Sequence, residues 1–117
     1  MTSKEVETAK LYFEASNRSD MKSIASLMTP TTTYSSVRQG LFLGVDQIIE
    51  VQTAFHASFE TLSWKVKSVD EIRPGVIYFD FVLQTKKSGE EMKEISGDEY
   101  VLVKDGKLQH VEVRNKS

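Results

Sequence analysis

Apolar residues recur every three or four positions as far as Phe59, and every second position after Leu62. Val6, Ala9, Tyr12, Phe13 and Ser16 share one face of a helix predicted from about Ser3 to Ser16, with Ser3 placed to cap its start. Asn17-Arg18-Ser19-Asp20 reads as a turn. Asp20 then caps a second helix carrying the stripe Met21, Ile24, Ala25, Leu27 and Met28, which Pro30 ends. The β-branched run from Thr31 to Val37 predicts a short strand. Gly40 and Gly44 bracket Leu41-Phe42-Leu43 as an ordered loop or small hairpin arm. A third helix follows from about Asp46 to Ser58, burying Ile48, Ile49, Val51, Phe55 and Phe59.

Beyond that point the pattern predicts four strands in a meander. Leu62, Trp64 and Val66 alternate with Ser63, Lys65 and Lys67, and Val76 to Thr85 is nearly continuous in apolar and aromatic residues. After the Lys87-Ser88-Gly89-Glu90 turn, Met92 to Val103 forms the next strand. Lys104-Asp105-Gly106-Lys107 is a tight hairpin turn, and Leu108 to Arg114 the last strand. The order predicts an α+β cone: three N-terminal helices packed on a strongly curved antiparallel sheet, leaving a hollow at its wide end. Val69, Val101 and Val103 are placed on the outer face of that sheet, where apolar residues would call for a homodimer through the sheet.

Composition narrows the picture. The 117 residues make one domain, 1–117, without internal repeat or linker, of a size to bury about two-thirds of its unfolded surface. Fifteen basic and seventeen acidic residues give a net charge of −2, which offers no electrostatic footprint for nucleic acid or an anionic membrane. The first residues carry no signal-peptide apolar core, and no apolar run approaches a membrane span. With no cysteine there is no disulfide or thiolate chemistry, and the protein is expected to be cytoplasmic. Two isolated histidines without acidic partners at ligand spacing do not make a metal site. No phosphate loop, nucleophile elbow or zinc motif is present, and no cofactor is expected.

Three local patterns carry a resemblance over essentially the whole chain. They are Tyr12 to Asp20 with Ile24 and Leu27-Met28; Gly44-Val45-Asp46-Gln47-Ile48-Ile49; and Gly97-Asp98 with Asp105-Gly106-Lys107-Leu108. Their order and spacing resemble the nuclear transport factor 2-like (cystatin-like) superfamily, in particular its small ketosteroid-isomerase and SnoaL-like polyketide-cyclase members. In those isomerases a tyrosine and a protonated aspartic acid donate hydrogen bonds to a developing enolate oxygen, a worked case of a carboxyl group kept neutral by an apolar site. The resemblance assigns these catalytic positions to Tyr12 and Asp98. It places Ser36 where the isomerase has its general base, and serine cannot accept a proton as a carboxylate does.

The residues leave alternatives open. Asp98 either turns into the hollow, or bonds a neighbouring strand or sits at a bulge beside Gly97. Tyr12 either offers its hydroxyl to the cavity or packs in the core. Asp80 is either a second pocket acid paired with Asp98 or an outer-face acid paired with Lys65 or Lys67. His56 is a base if it faces the hollow, and otherwise a helix-surface residue. His110 faces solvent or a partner copy. Tyr34, Ser36, Phe55, His56, Trp64 and Met92 are the candidate lining of a site for a small hydrophobic molecule. The reading is a SnoaL-like binding domain, working as a cofactor-independent isomerase, dehydratase or cyclase that stabilises an enolate-like oxygen. The alternative is a non-catalytic ligand-binding or dimerisation module.

Overall fold

The computed structural model describes residues 3–115. Its elements are α1 (Lys4–Asn17), α2 (Met21–Ser26), β1 (Thr33–Ser36), β2 (Gly40–Leu43), α3 (Val45–Ala57), β3 (Thr61–Arg73), β4 (Val76–Lys86), β5 (Lys93–Lys104) and β6 (Lys107–Asn115). The caps act as the sequence predicts. Ser3 Oγ accepts from the Val6 amide at 3.1 Å, and Asp20 accepts from the Ser23 amide at 3.1 Å and the Ser23 hydroxyl at 2.7 Å. Among the described residues no helix is long and apolar enough to cross a membrane.

One six-stranded sheet runs in the order β2-β1-β6-β5-β4-β3. The meander β3 to β6 is antiparallel, and Asp105 (φ 54°) and Gly106 (φ 74°) make the β5–β6 turn in the left-handed conformation that an Asp-Gly pair favours. Two register shifts in β3, between Val66 and Ser68 and between Glu71 and Arg73, bend that long edge strand. Against expectation, the sheet is mixed. β1 pairs in parallel with β6, Tyr34 lying opposite Val111, and β2 folds back on β1 as a hairpin with Tyr34 opposite Phe42. The three helices are therefore not all N-terminal to the sheet, since α3 follows β1 and β2.

Thr32, fully buried, ties this crossing together. Its hydroxyl donates to the Leu108 carbonyl at 2.6 Å and accepts from the Thr29 amide at 2.8 Å, while its carbonyl receives the Gly44 amide at 2.7 Å. Gly44 has φ +90°, and a Cβ there would stand 2.9 Å from the Pro30 carbonyl oxygen, so glycine is needed to start α3 at this point.

The core lies between the helices and one face of the sheet, centred on Phe13 stacked on Phe79 with ring centroids 4.1 Å apart. Ile77, Phe79 and Phe81 of β4, and Val101 and Val103 of β5, supply that inner face. This corrects the outward placement of the valines: Val101 is 0% and Val103 5% exposed, and Val69 packs against the same core. The other face carries Tyr78, Asp80, Asp98, Tyr100, His110, Glu112 and Arg114 together with Val76, Val82 and Leu102, so Val69, Val101 and Val103 are not residues that could pair two copies through it.

Candidate functional site

At one end of the core the side chains leave a hollow in two parts. The inner chamber, about 20 Å³, is lined by Tyr12, Phe13, Ser16, Tyr34, Gln39, Gln52, Phe55, His56, Trp64 and Glu99. The outer chamber is about 200 Å³ and shares Tyr34, Gln39, Phe55 and Trp64 with the inner one. It is completed by residues that include Ser36, Phe59, Leu83, Ile95 and Val113. Tyr12, Tyr34, Ser36, Phe55, His56 and Trp64 are thus brought together. Met92 is not: it lies on the β4–β5 connection, 48% exposed, because the strand begins one residue later.

Asp98 is the main correction. Its carboxylate receives Arg114 Nε at 2.9 Å on Oδ1, Arg114 Nη2 at 2.8 Å on Oδ2, and the Tyr78 hydroxyl at 2.8 Å on Oδ2. The Arg114 guanidinium lies 5.4 Å from the Tyr100 ring centroid, and Tyr78 and Tyr100 rings are 5.1 Å apart. This is a brace on the face of the sheet away from the helices, and Asp80 stands opposite Asp98 on that same face. Pairing continues without a bulge through Gly97, opposite Phe81. Glycine is needed there because a Cβ would lie 2.9 Å from both the Arg114 carbonyl oxygen and the Phe81 ring.

The next residue, Glu99, takes the inward place. It is 3% exposed, and burial raises its carboxyl to about 8, so it carries a proton at neutral pH. Burial first, and then the Glu99 carboxyl, hold the Tyr12 and Tyr34 phenols well above their usual range. Gln52, 5% exposed on α3, donates through Nε2 to the Tyr12 hydroxyl at 3.0 Å. Among the described residues, the buried side-chain oxygens with no hydrogen-bond partner are Gln52 Oε1 and Glu99 Oε2, and both residues line the inner chamber. A space of that size takes about one oxygen-sized group, and these atoms would meet it.

The last residue of α1 and the turn after it position two of the lining groups. Asn17 clamps the Trp64 backbone, donating through Nδ2 to the carbonyl at 3.1 Å and accepting from the amide at 2.7 Å. Ser19, at φ 52°, places its hydroxyl 2.8 Å from His56 Nδ1. The His56 ring lies 5.4 Å from that of Trp64, and burial lowers its pKa, so the imidazole is neutral at pH 7. His110 is held outside the hollow between Thr33, at 2.6 Å, and Glu112, at 3.0 Å. Among the described residues no group of three or more histidine, aspartate or glutamate side chains is arranged to hold a metal ion.

Glu99, Gln52 and Gln39 were not singled out from the sequence. The signal for Glu99 was its parity with Val101 and Val103, since strand neighbours two apart share a face. Placing Asp98 inward, as the family resemblance implies, carries Glu99 and those valines outward.

In sequence the chain matches no protein-family model and no curated protein. In structure it is similar to many solved chains. A protein described as a SnoaL-like polyketide cyclase from Shewanella putrefaciens CN-32 superposes with a TM-score of 0.87 at 10% identity, over 98% of this chain and 91% of the other. An LEH-like epoxide hydrolase of M. tuberculosis gives 0.85 at 10% identity, over 98% and 84%. A protein with a ketosteroid isomerase-like fold from Catenulispora acidiphila DSM 44928, in complex with trimethylamine, gives 0.82 at 12% identity, over 92% and 83%. The chain has the nuclear transport factor 2-like fold that SnoaL-like and ketosteroid isomerase-like proteins share. At these identities the likeness carries the fold and not the reaction.

Proposed function

We propose that the protein binds a small organic molecule in the two-part hollow and moves a proton on it without a cofactor, as an isomerase, dehydratase or cyclase. The observation that supports this most is Glu99: a buried, protonated carboxyl with an unpartnered oxygen, beside Tyr12, Tyr34 and Gln52 at the floor of the site. A carbonyl oxygen entering the inner chamber would receive a hydrogen bond from the Glu99 acid, strengthened as negative charge develops on that oxygen. One such preorganised donor contributes about 3 kcal/mol to a transition state.

The base in this reading is His56. With Nδ1–H donating to Ser19 Oγ, Nε2 keeps its lone pair for a proton on the carbon next to the carbonyl. Returning that proton to another carbon isomerises the substrate, and returning it to a hydroxyl on the next carbon, which then leaves as water, dehydrates it. Both groups are in their working forms only between the lowered pKa of His56 and about pH 8 for Glu99, so the rate should be bell-shaped with its plateau in that window.

The test is exchange of α-hydrogens of small cyclic ketones and enones into D2O, followed by proton NMR. Catalysed exchange within that pH window is expected, falling at least about a hundredfold in His56→Gln. Ligands that bind without any exchange would leave a non-catalytic binding module instead.

A further inference from the structure

The outer chamber has a charged rim that proton transfer on a neutral ketone would not need. Arg38 from the β1–β2 turn, Lys87 from the β4–β5 turn and Lys93 at the start of β5 all line it, and among the described residues no carboxylate does. The chain as a whole is acidic, with a net charge of −2, so this convergence of three cations from separate elements is local. Lys93 has a partner, Glu90 at 3.7 Å, and the Lys87 ammonium sits 5.7 Å over the Phe59 ring. Arg38 makes no ion pair among the described residues, although its backbone amide is fixed by Ser36 Oγ at 3.3 Å. A guanidinium so placed offers a planar fork suited to a carboxylate.

Size bounds the rest of the molecule. A chamber of about 200 Å³ is slightly larger than the ~150 Å³ cavity that accommodates benzene, and below the ~300 Å³ at which sites for drug-sized ligands begin. It takes one ring or a short chain, not a fused four-ring skeleton. The walls between rim and floor are apolar, formed by Phe55, Trp64, Leu83, Ile95 and Val113. At the floor stand the Glu99 acid and Tyr34, next to the chamber for a single oxygen.

We infer that the ligand is a small oxo-carboxylate, a single ring or short chain that enters carbonyl first and leaves its carboxylate at the rim on Arg38. This rests on the reading of the hollow as a small-molecule site and names the substrate class. The cationic rim supplies the orientation: reversed, the ligand's carboxylate would be forced against the buried Glu99 in a dry chamber, where an unpaired charge is costly.

A matched pair of probes tests it: 4-oxocyclohexane-1-carboxylate and 4-oxocyclohexane-1-carboxamide, alike in size and differing in charge. Binding is followed by the NMR shift of the Trp64 indole N–H at low and high salt. The carboxylate should bind about fivefold more tightly than the amide at low salt, as an exposed ion pair allows. Salt should erase that preference, and so should Arg38→Gln, which replaces an exposed side chain, with the amide's affinity unchanged. Equal binding of both probes, each moving Trp64, would overturn the anion inference and leave the hollow a ligand site. If neither probe moves Trp64 at millimolar concentration, the inference falls together with the reading of the hollow on which it rests.

Discussion

The carboxyl groups of Asp98 and Glu99, consecutive on β5, lie on opposite faces of the sheet. Asp98 closes on Arg114 and Tyr78, whereas Glu99 ends among Tyr12, Tyr34 and Gln52 in the hollow. The alternation of a strand puts two acids of similar chemistry into two environments. One is held by an arginine fork at the surface of the sheet, and the other is kept from ionising by burial.

Glu99 should make stability depend on pH with an unusual sign. Its folded carboxyl titrates at about 8 and the unfolded one at 4.5, so between those values the folded state holds the extra proton. Stability is then highest below the unfolded value, falls as pH rises through the window, and levels off above about 8. His56, whose pKa burial lowers, works in the opposite direction as pH falls below the usual histidine value of about 6.5, so the comparison that isolates the acid is with Glu99→Gln. Urea titrations should show the stability difference between the unaltered chain and this variant shifting by about 1 kcal/mol per pH unit from about pH 5.5 to 7.5. A difference independent of pH would mean that Glu99 ionises normally.

Asp98→Ala should weaken the fold and spare the site. The substitution removes two charge-assisted hydrogen bonds from Arg114 and one from Tyr78, for a loss of about 2 kcal/mol. Ligand-induced shifts of the Trp64 indole and α-hydrogen exchange should both survive, measured well below the lowered melting temperature. Loss of exchange in a folded Asp98→Ala protein would return the chemistry to Asp98.

Gly97→Ala should destabilise by about 1–3 kcal/mol, because the new methyl group meets a backbone carbonyl and an aromatic ring, both at 2.9 Å. The carbonyl belongs to Arg114 and cannot swing away without disturbing the β5–β6 ladder. Thermal unfolding of the double variant Gly97→Ala with Phe81→Leu separates the two clashes. Partial recovery would identify the Phe81 ring as the yielding side, and a neutral single variant would contradict the packing described at Gly97.

Local signals were read well from the sequence, and long-range pairings were not. Ser3 and Asp20 cap their helices, Asp105-Gly106 makes the hairpin turn, and the change of period near Leu62 marks where the meander starts, because each depends on residues a few positions apart. The parallel pairing of β1 with β6 joins residues such as Tyr34 and Val111, and no local pattern specifies such a partner. On β5 the alternation itself was legible but its direction was not. The inward choice of Asp98 followed the family resemblance, and a shift of one residue exchanges every side chain between the faces. Packing decides the matter: Val101 and Val103 fill the space beneath the helices, and Glu99 must share their side. Of the residues that line the inner chamber, Tyr34 and Trp64 were legible because aromatic residues at inward positions are both core and wall, and Tyr12 because it matches the family's tyrosine.

The clamp made by Thr32 has a bearing on how the protein matures on the ribosome. Its hydroxyl reaches Leu108, 76 residues later, and the segment it anchors carries Tyr34, Ser36 and Gln39 over the hollow. A nascent chain can wind its early helices while synthesis continues, but that roof has nothing to hang from until β6 emerges. The hollow is therefore among the last parts of the molecule to be completed, and a stalled chain lacking β6 would be without it.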